Sequence, residues 1–192
     1  MKLLCVYCAS SDRLDPKYPA MAEAVGQDIA AHGWGLVYGG GKTGLMGAVA
    51  RGTKAGGGRV VGVIPEFMKV RELAFTEADE LISVITMRER KTLMETRADA
   101  FLALPGGWGT IEEIMEILTL AHLEVLHKPI VIFNQDGYYD DLLRMFDRVV
   151  EEKFMRDSIR VKYAVARTRE EIFPLLEGWQ YQAGDAKWFQ TR

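Results

Sequence analysis

The sequence predicts an α/β fold: a doubly wound, mostly parallel sheet with helices on both faces. Three observations lead there. Short apolar runs of strand length, among them Leu3 to Cys8, Val60 to Ile64, Ala100 to Leu104 and Ile130 to Phe133, alternate along the chain with stretches of helical spacing. Several of these runs are apolar throughout, as strands covered on both faces are. Each candidate motif falls where such a run ends, which in a doubly wound sheet is where ligands bind.

The 192 residues suit one domain, expected over residues 1–180, with a mobile C-terminal tail over 181–192. A hydrophobic content of 48% and a charged content of 27% are those of an ordinary globular chain. With a net charge of −3, no global basic field favours nucleic acid or an anionic membrane as a partner. No apolar run approaches the roughly 18–20 residues that cross a bilayer, and Lys2 leads straight into a strand rather than a signal peptide. Two cysteines cannot build a disulfide framework, so a reducing, cytoplasmic setting is expected. Cys5 and Cys8 lie three apart in one strand and point to opposite faces, which fits buried structural thiols better than a metal or redox pair. His32, His122 and His127 have no metal-ligand spacing, and no metal is expected.

In chain order, the strand Leu3 to Cys8 ends at Ala9-Ser10-Ser11-Asp12, whose hydroxyls can bond a ligand. A helix over Tyr18 to Ala31 stops at Gly33, and Trp34 to Tyr38 is the second strand. The turn Gly39-Gly40-Gly41-Lys42-Thr43-Gly44 follows. It is no triphosphate loop, because Leu36 stands where that motif needs glycine. Gly39, Gly41 and Gly44 do satisfy G-x-G-x-x-G, with Glu66 further on, so a dinucleotide site is a rival; that fingerprint normally follows the first strand rather than the second. A helix over Leu45 to Ala55, a strand to Ile64, a polar excursion from Pro65 to Asp79 and a strand over Leu81 to Ile85 come next.

Thr86 opens a helix lasting to about Ala98, with Arg88, Arg90 and Lys91 near its start. Cations there oppose the helix dipole, so they are either a solvated face eased by Glu89 and Glu95 or a site for an anionic substrate. The strand Ala100 to Leu104 closes at Pro105 and enters a second glycine turn, Gly106, Gly107 and Gly109, before an apolar-periodic helix expected to run to Leu126. A glycine turn feeding a helix N-terminus presents unpaired N–H groups and the positive end of the dipole, a natural phosphate site. Thr110 and Glu113 also fit a capping box, with Thr110 as N-cap and Glu113 at the third helical position. After Ile130 to Phe133 come a turn at Asn134 to Gly137, a helix over Tyr138 to Glu152, a last strand at Val161 to Val165 and a T-x-x-E start at Thr168.

Pro105-Gly106-Gly107-Trp108-Gly109-Thr110-Ile111-Glu112-Glu113 matches P-G-G-x-G-T-x-x-E, and Arg90-Lys91 lies upstream. Together with Tyr38 to Gly41, Gly44 to Gly47 and Asp136 to Asp140, these segments resemble the LONELY GUY (LOG) family of cytokinin riboside 5′-monophosphate phosphoribohydrolases, over roughly residues 3 to 175. The resemblance implies a Rossmann-like fold and hydrolysis of a nucleoside 5′-monophosphate to free base and ribose 5-phosphate, with no cofactor. It also implies a homodimer or higher assembly with sites near the subunit contact. Catalysis would fall to Arg90 and Glu113, and substrate binding to Ser10, Gly40, Gly41, Glu72, Met87, Arg90, Lys91, the run Gly106, Gly107, Trp108, Gly109, Thr110, Ile111 and Glu112, and Thr119. Arg88 and Ala9 depart from the family pattern, which has His and Gly in many members. The reaction suits the residues, since a carboxylate beside the sugar can stabilise an oxocarbenium-like cation and take a proton from water. Two alternatives are a nucleotide-binding module without turnover and, from an old label on relatives, a pyridoxal-phosphate-dependent lysine decarboxylase.

Overall fold

The computed structural model describes residues 1–69 and 73–182. Seven strands make one sheet: β1 (Leu3–Tyr7), β2 (Gly35–Tyr38), β3 (Val60–Pro65), β4 (Glu80–Val84), β5 (Ala100–Ala103), β6 (Ile130–Phe133) and β7 (Ala164–Ala166). Their order is β4-β3-β2-β1-β5-β6-β7, and every pairing is parallel. Parallel neighbours need crossovers. The longer ones are α1 (Lys17–Ala31), α2 (Gly44–Ala55), α4 (Met87–Arg97), α5 (Trp108–His122) and α6 (Asp140–Glu151); α3 (Glu66–Lys69) is one turn, and α7 (Ile172–Glu177) closes the chain.

Alternation along the strands divides the core in two. Leu4, Val6, Leu36 and Leu102 pack against α1, α2 and α7, whereas Cys5, Tyr7, Val37 and Phe101 pack against α4, α5 and α6. Both faces are covered, which is why these strands read as unbroken apolar runs. Tyr7 and Phe101 lie stacked on the second face, ring centroids 6.1 Å apart. Cys5 and Cys8 are buried free thiols on opposite faces.

The strand order reverses around β1: β2 lies on one side and β5 on the other. At such a switch point the loops leaving the strands diverge and open a crevice. Here the gap is tied at its base by Ala9 N, which donates to Pro105 O at 3.2 Å.

Several boundaries differ from expectation. The helix after the second glycine turn ends at His122, not Leu126, because Glu124 turns to a positive φ of 58° and Val125 and Leu126 bond back to Leu120 O. The excursion after β3 starts with α3 and returns through a bridge between Gly41 and Ala74. The last strand is three residues, since Val161 belongs to a 3₁₀ turn over Asp157–Val161. Of the expected tail, Tyr181 bonds Glu124 and Gln182 O accepts from Lys162 Nζ at 2.8 Å; the rest lies outside the described residues. Among those described, no helix is long and apolar enough to cross a membrane.

Candidate active site

The glycine turn after β5 sits at the switch point. Gly107 is the N-cap of α5, in extended geometry and with no side-chain cap. The helix therefore begins at Trp108, three residues earlier than a Thr110 cap would have it. Thr110 is the third helical residue, buried with its hydroxyl against Gly106, and Glu113 is the sixth. The capping box expected there does not form. No acidic side chain stands in the first turn, and with Ile111 N bonded to Gly107 O, the N–H groups of Trp108, Gly109 and Thr110 precede the intrahelical ladder. An uncapped helix start of this kind is an anion site.

α4 brings the cations. Its start is fixed by a capping box: Thr86 Oγ1 accepts from Glu89 N at 3.1 Å, and Glu89 Oε2 accepts from Ile85 N and Thr86 N. One residue on, Arg90 turns inward and is 4% exposed. Its Nε donates to Val63 O at 3.2 Å, and its Nη1 lies 3.4 Å from Glu113 Oε1. The guanidinium crosses over Gly39, where a Cβ would stand 1.6 Å from Nη2. The arginine thus spans the ends of β2 and β3 and reaches α5.

Glu113 is 5% exposed. The helical repeat puts it on the face of Ile114, Ile117, Leu118 and Ala121, all buried, whereas its neighbour Glu112 faces solvent. Burial pushes the Glu113 carboxyl up to about 7, Arg90 opposing the shift and Glu112 adding to it. Desolvation outweighs the ion pair because one long contact replaces full hydration. The result is a buried carboxyl held towards its protonated form beside a fixed cation, behind the glycine turn.

Lys91 is held between Glu112 Oε1 at 2.5 Å and Glu116 Oε2 at 2.7 Å. Burial pulls its ammonium pKa down, but the two carboxylates more than offset that, and it is raised. An amine that forms a Schiff base needs the opposite shift. Lys91 does not fit the pyridoxal-phosphate reading.

Gly40 and Gly41 lie in the β2–α2 loop with Gly39; Gly40 has φ +73° and its carbonyl accepts from Phe75 N at 2.9 Å. Ser10 is exposed on the β1 loop, its carbonyl accepting from Thr43 Oγ1 at 2.9 Å. Met87 begins α4 and Ile111 is half-buried at the start of α5. Trp108 is 89% exposed. Of the two remaining expected residues, one is not described and the other stands apart. Glu72 lies outside the described residues, and Thr119 is well down α5, on an apolar groove of about 120 Å³ lined by Met115, Phe146, Val149 and Tyr163.

Three residues near the site escaped the sequence reading. Gly39 was seen only as part of a motif, and its contact with Arg90 comes from far along the chain. Tyr139 Oη donates to Leu104 O at 2.7 Å, and Tyr138 Oη to Gly106 O at 2.8 Å. Their loop is locked by Asn134, which accepts from Tyr139 N and donates to Asp140, both at 2.7 Å. Two adjacent tyrosines after a strand-end turn were the available signal.

Residues 46–176 match the family described as "Possible lysine decarboxylase". The chain is 42% identical over 183 residues to the probable cytokinin riboside 5′-monophosphate phosphoribohydrolase LOGL5 of Oryza sativa subsp. japonica, covering 95% of this chain and 74% of that one. It is 40% identical over 174 residues to the cytokinin riboside 5′-monophosphate phosphoribohydrolase LOG3 of Arabidopsis thaliana, covering 91% and 81%. Among solved structures, the molybdenum cofactor binding protein of Rippkaea orientalis superposes with a TM-score of 0.71 at 21% identity, covering 92% of this chain and 96% of that one, a likeness of fold alone. Joined to the glycine turn and the arginine and glutamate that meet behind it, this similarity along nearly the whole sequence means that the chain belongs to the LOG family.

Proposed function

We propose that this protein is a nucleoside 5′-monophosphate phosphoribohydrolase, cleaving cytokinin riboside 5′-monophosphate or AMP to free base and ribose 5-phosphate. The observation that carries this reading is the buried Glu113 carboxyl beside Arg90, one turn behind an uncapped helix start. The phosphate binds the N–H groups of Gly107 to Thr110, where the dipole of α5 favours it. The C1′–nitrogen bond breaks with its electron pair leaving on the base, which takes up a proton from solvent. The ribosyl cation left behind is stabilised by ionised Glu113, and water adds at C1′ as Glu113 accepts one of its protons. Arg90 holds Glu113 in place and balances its charge. Glu112 and Lys91 serve the ribose and phosphate at the rim, Glu72 is assigned to the ribose, and Ser10, Gly40, Gly41 and Met87 contact the substrate.

The working unit of this proposal is a homodimer or a higher assembly of such pairs. No residue of α6 is fully buried in the single chain, and Met115, Leu123, Val125 and Met145 are exposed along α5 and α6. An apolar face of that extent suits two-fold pairing, which would hold Glu113 and Thr119 in place. Two buried free thiols suit a cytoplasmic setting, with the catalytic domain over residues 1–180. The experiment is a chromatographic screen of nucleoside 5′-monophosphates incubated with purified protein. Released base and ribose 5-phosphate in equal amounts are expected; nucleotide that binds but stays intact would overturn the hydrolase in favour of a binding module.

A further inference from the structure

Where β5 leaves the sheet, three consecutive carbonyl oxygens each receive a donor from a different place. Leu104 O accepts from Tyr139 Oη at 2.7 Å, Pro105 O from Ala9 N at 3.2 Å and Gly106 O from Tyr138 Oη at 2.8 Å. The three bonds are not equivalent. A trans peptide unit carries one residue's carbonyl and the next residue's N–H, pointing in opposite directions. Behind Leu104 O stands the Pro105 nitrogen, which has no hydrogen. Behind Gly106 O stands the N–H of Gly107, the N-cap of α5.

The Gly106–Gly107 peptide is also the one in this turn with glycine on both sides. Without a Cβ at either end, compensating rotations about ψ of Gly106 and φ of Gly107 can reverse it. Bulk cannot stiffen it, since a Cβ on Gly106 would lie 2.1 Å from Thr110 Oγ1. Only a hydrogen bond on its carbonyl can. The direction of that bond matters: β6, which leads into the Tyr138 loop, lies on one side of β5, and β1 with the switch-point crevice lies on the other. A carbonyl drawn towards Tyr138 leaves the N–H facing the crevice; reversed, it would put a negative dipole end where an anion has to sit. Tyr138 is itself held, by the edge of Tyr18 at 6.2 Å and by an ion pair of Lys17 with Asp136 at 2.9 Å beside it.

We propose that Tyr138 is a positioning residue for the phosphate subsite, its hydroxyl fixing the Gly106–Gly107 peptide so that the Gly107 N–H faces the ligand. This rests on the reading of the glycine turn as that subsite. Tyr138→Phe and Tyr139→Phe form a comparison pair on the same short stretch: the first frees the carbonyl of the Gly106–Gly107 peptide, whereas the second frees Leu104 O and a backbone contact of Gly106 and leaves that carbonyl held. Ribose 5-phosphate is the probe, titrated calorimetrically into the full-length protein, with thermal melts and steady-state base release alongside. Tyr138→Phe is expected to bind it about tenfold more weakly, the size of one lost charge-assisted hydrogen bond. Its KM should rise to match while kcat stays within about twofold, and the Gly107 amide resonance should lose its response to ligand. Tyr139→Phe should melt lower and keep its affinity. Unchanged affinity in Tyr138→Phe, or equal losses in the two variants, would overturn the proposal. If wild-type protein does not bind ribose 5-phosphate at all, the phosphate reading itself falls, and this inference with it.

Discussion

Replacing Glu113 with glutamine separates a carboxylate that serves chemistry from one that serves the fold. Glu113 has its pKa raised from the usual 4.5 to about 7 by burial. A raised acid binds its proton more tightly in the folded state, so its stabilising contribution is complete below about pH 4.5 and is lost as pH climbs through 7. Glutamine has no proton to lose. The stability gap between Glu113→Gln and wild type should therefore move in the variant's favour by about 2–3 kcal/mol between pH 5 and pH 8, or about 5–10 °C in Tm for a chain of this size. The attraction of Arg90 for ionised Glu113 is already contained in that pKa, and any difference between the neutral acid and glutamine is the same at both pH values, which is why the difference between two pH values is the quantity to measure. Base release should meanwhile drop by about 100- to 10,000-fold, the range for a lost general base. Parallel melting curves for the two proteins across pH would refute the buried-carboxyl argument, and near-normal turnover by Glu113→Gln would refute its catalytic role.

With ionised Glu113 as the proposed base, kcat/KM for nucleotide should rise with pH and level off above about 7, the value its burial sets; a limb centred near 4.5 would contradict this. Adenosine should be cleaved far more slowly than AMP, each missing contact to the phosphate forfeiting about 1.5–3 kcal/mol, and equal kcat/KM for the two would show that the phosphate has been put in the wrong place. Leu123→Glu, at a residue 47% exposed at the end of α5, should lower the mass seen by light scattering and reduce activity with it. A wild-type protein monomeric at micromolar concentration yet fully active would end the pairing argument.

One sequence pattern shows what was legible and what was not. T-x-x-E stands at a candidate helix start at Thr86, Thr110 and Thr168, a fourth copy at Thr92 lying inside α4, and it forms a capping box at Thr86 and Thr168. At Thr110 the glycines decide otherwise: Gly107 takes the N-cap position, and a helix that starts earlier carries Glu113 past the first turn and into the core. The strands and their parallel pairing could be read because burial on both faces leaves unbroken apolar runs. The end of α5 could not, because the apolar pattern continues through Leu126 and nothing local announces the left-handed turn at Glu124. The space above Gly39 was equally hidden, being filled by an arginine from a distant helix. Choosing between Glu112 and Glu113, by contrast, needed only the helical repeat, since Glu113 and Ile117 share a face.

α4 and α5 contribute two cations and three glutamates to the same region, and their energetics differ in kind. Lys91 with Glu112 and Glu116 is a rim cluster, the carboxylates 58% and 38% exposed. The carboxylates keep much of their hydration, so these pairs weaken with salt, although the Lys91 ammonium between them is largely buried. Glu113 and Arg90 are almost wholly enclosed, joined by one contact of 3.4 Å, with the Arg90 Nε already engaged by Val63 O. The upward displacement of the Glu113 pKa means that its ionised form lies about 3 kcal/mol higher here than in water. A chain selected for stability alone would do better with glutamine or an apolar side chain at that position. A carboxyl kept where ionisation is disfavoured, beside a buried arginine, fits a position where a proton moves. The N–H groups of the α5 start wait beside it, unclaimed by any side-chain cap. With phosphate at one end of that turn and a proton-accepting carboxyl at the other, as proposed above, the sugar–base bond of a nucleotide would lie between them, and on that reading hydrolysis accounts for Glu113 better than binding alone.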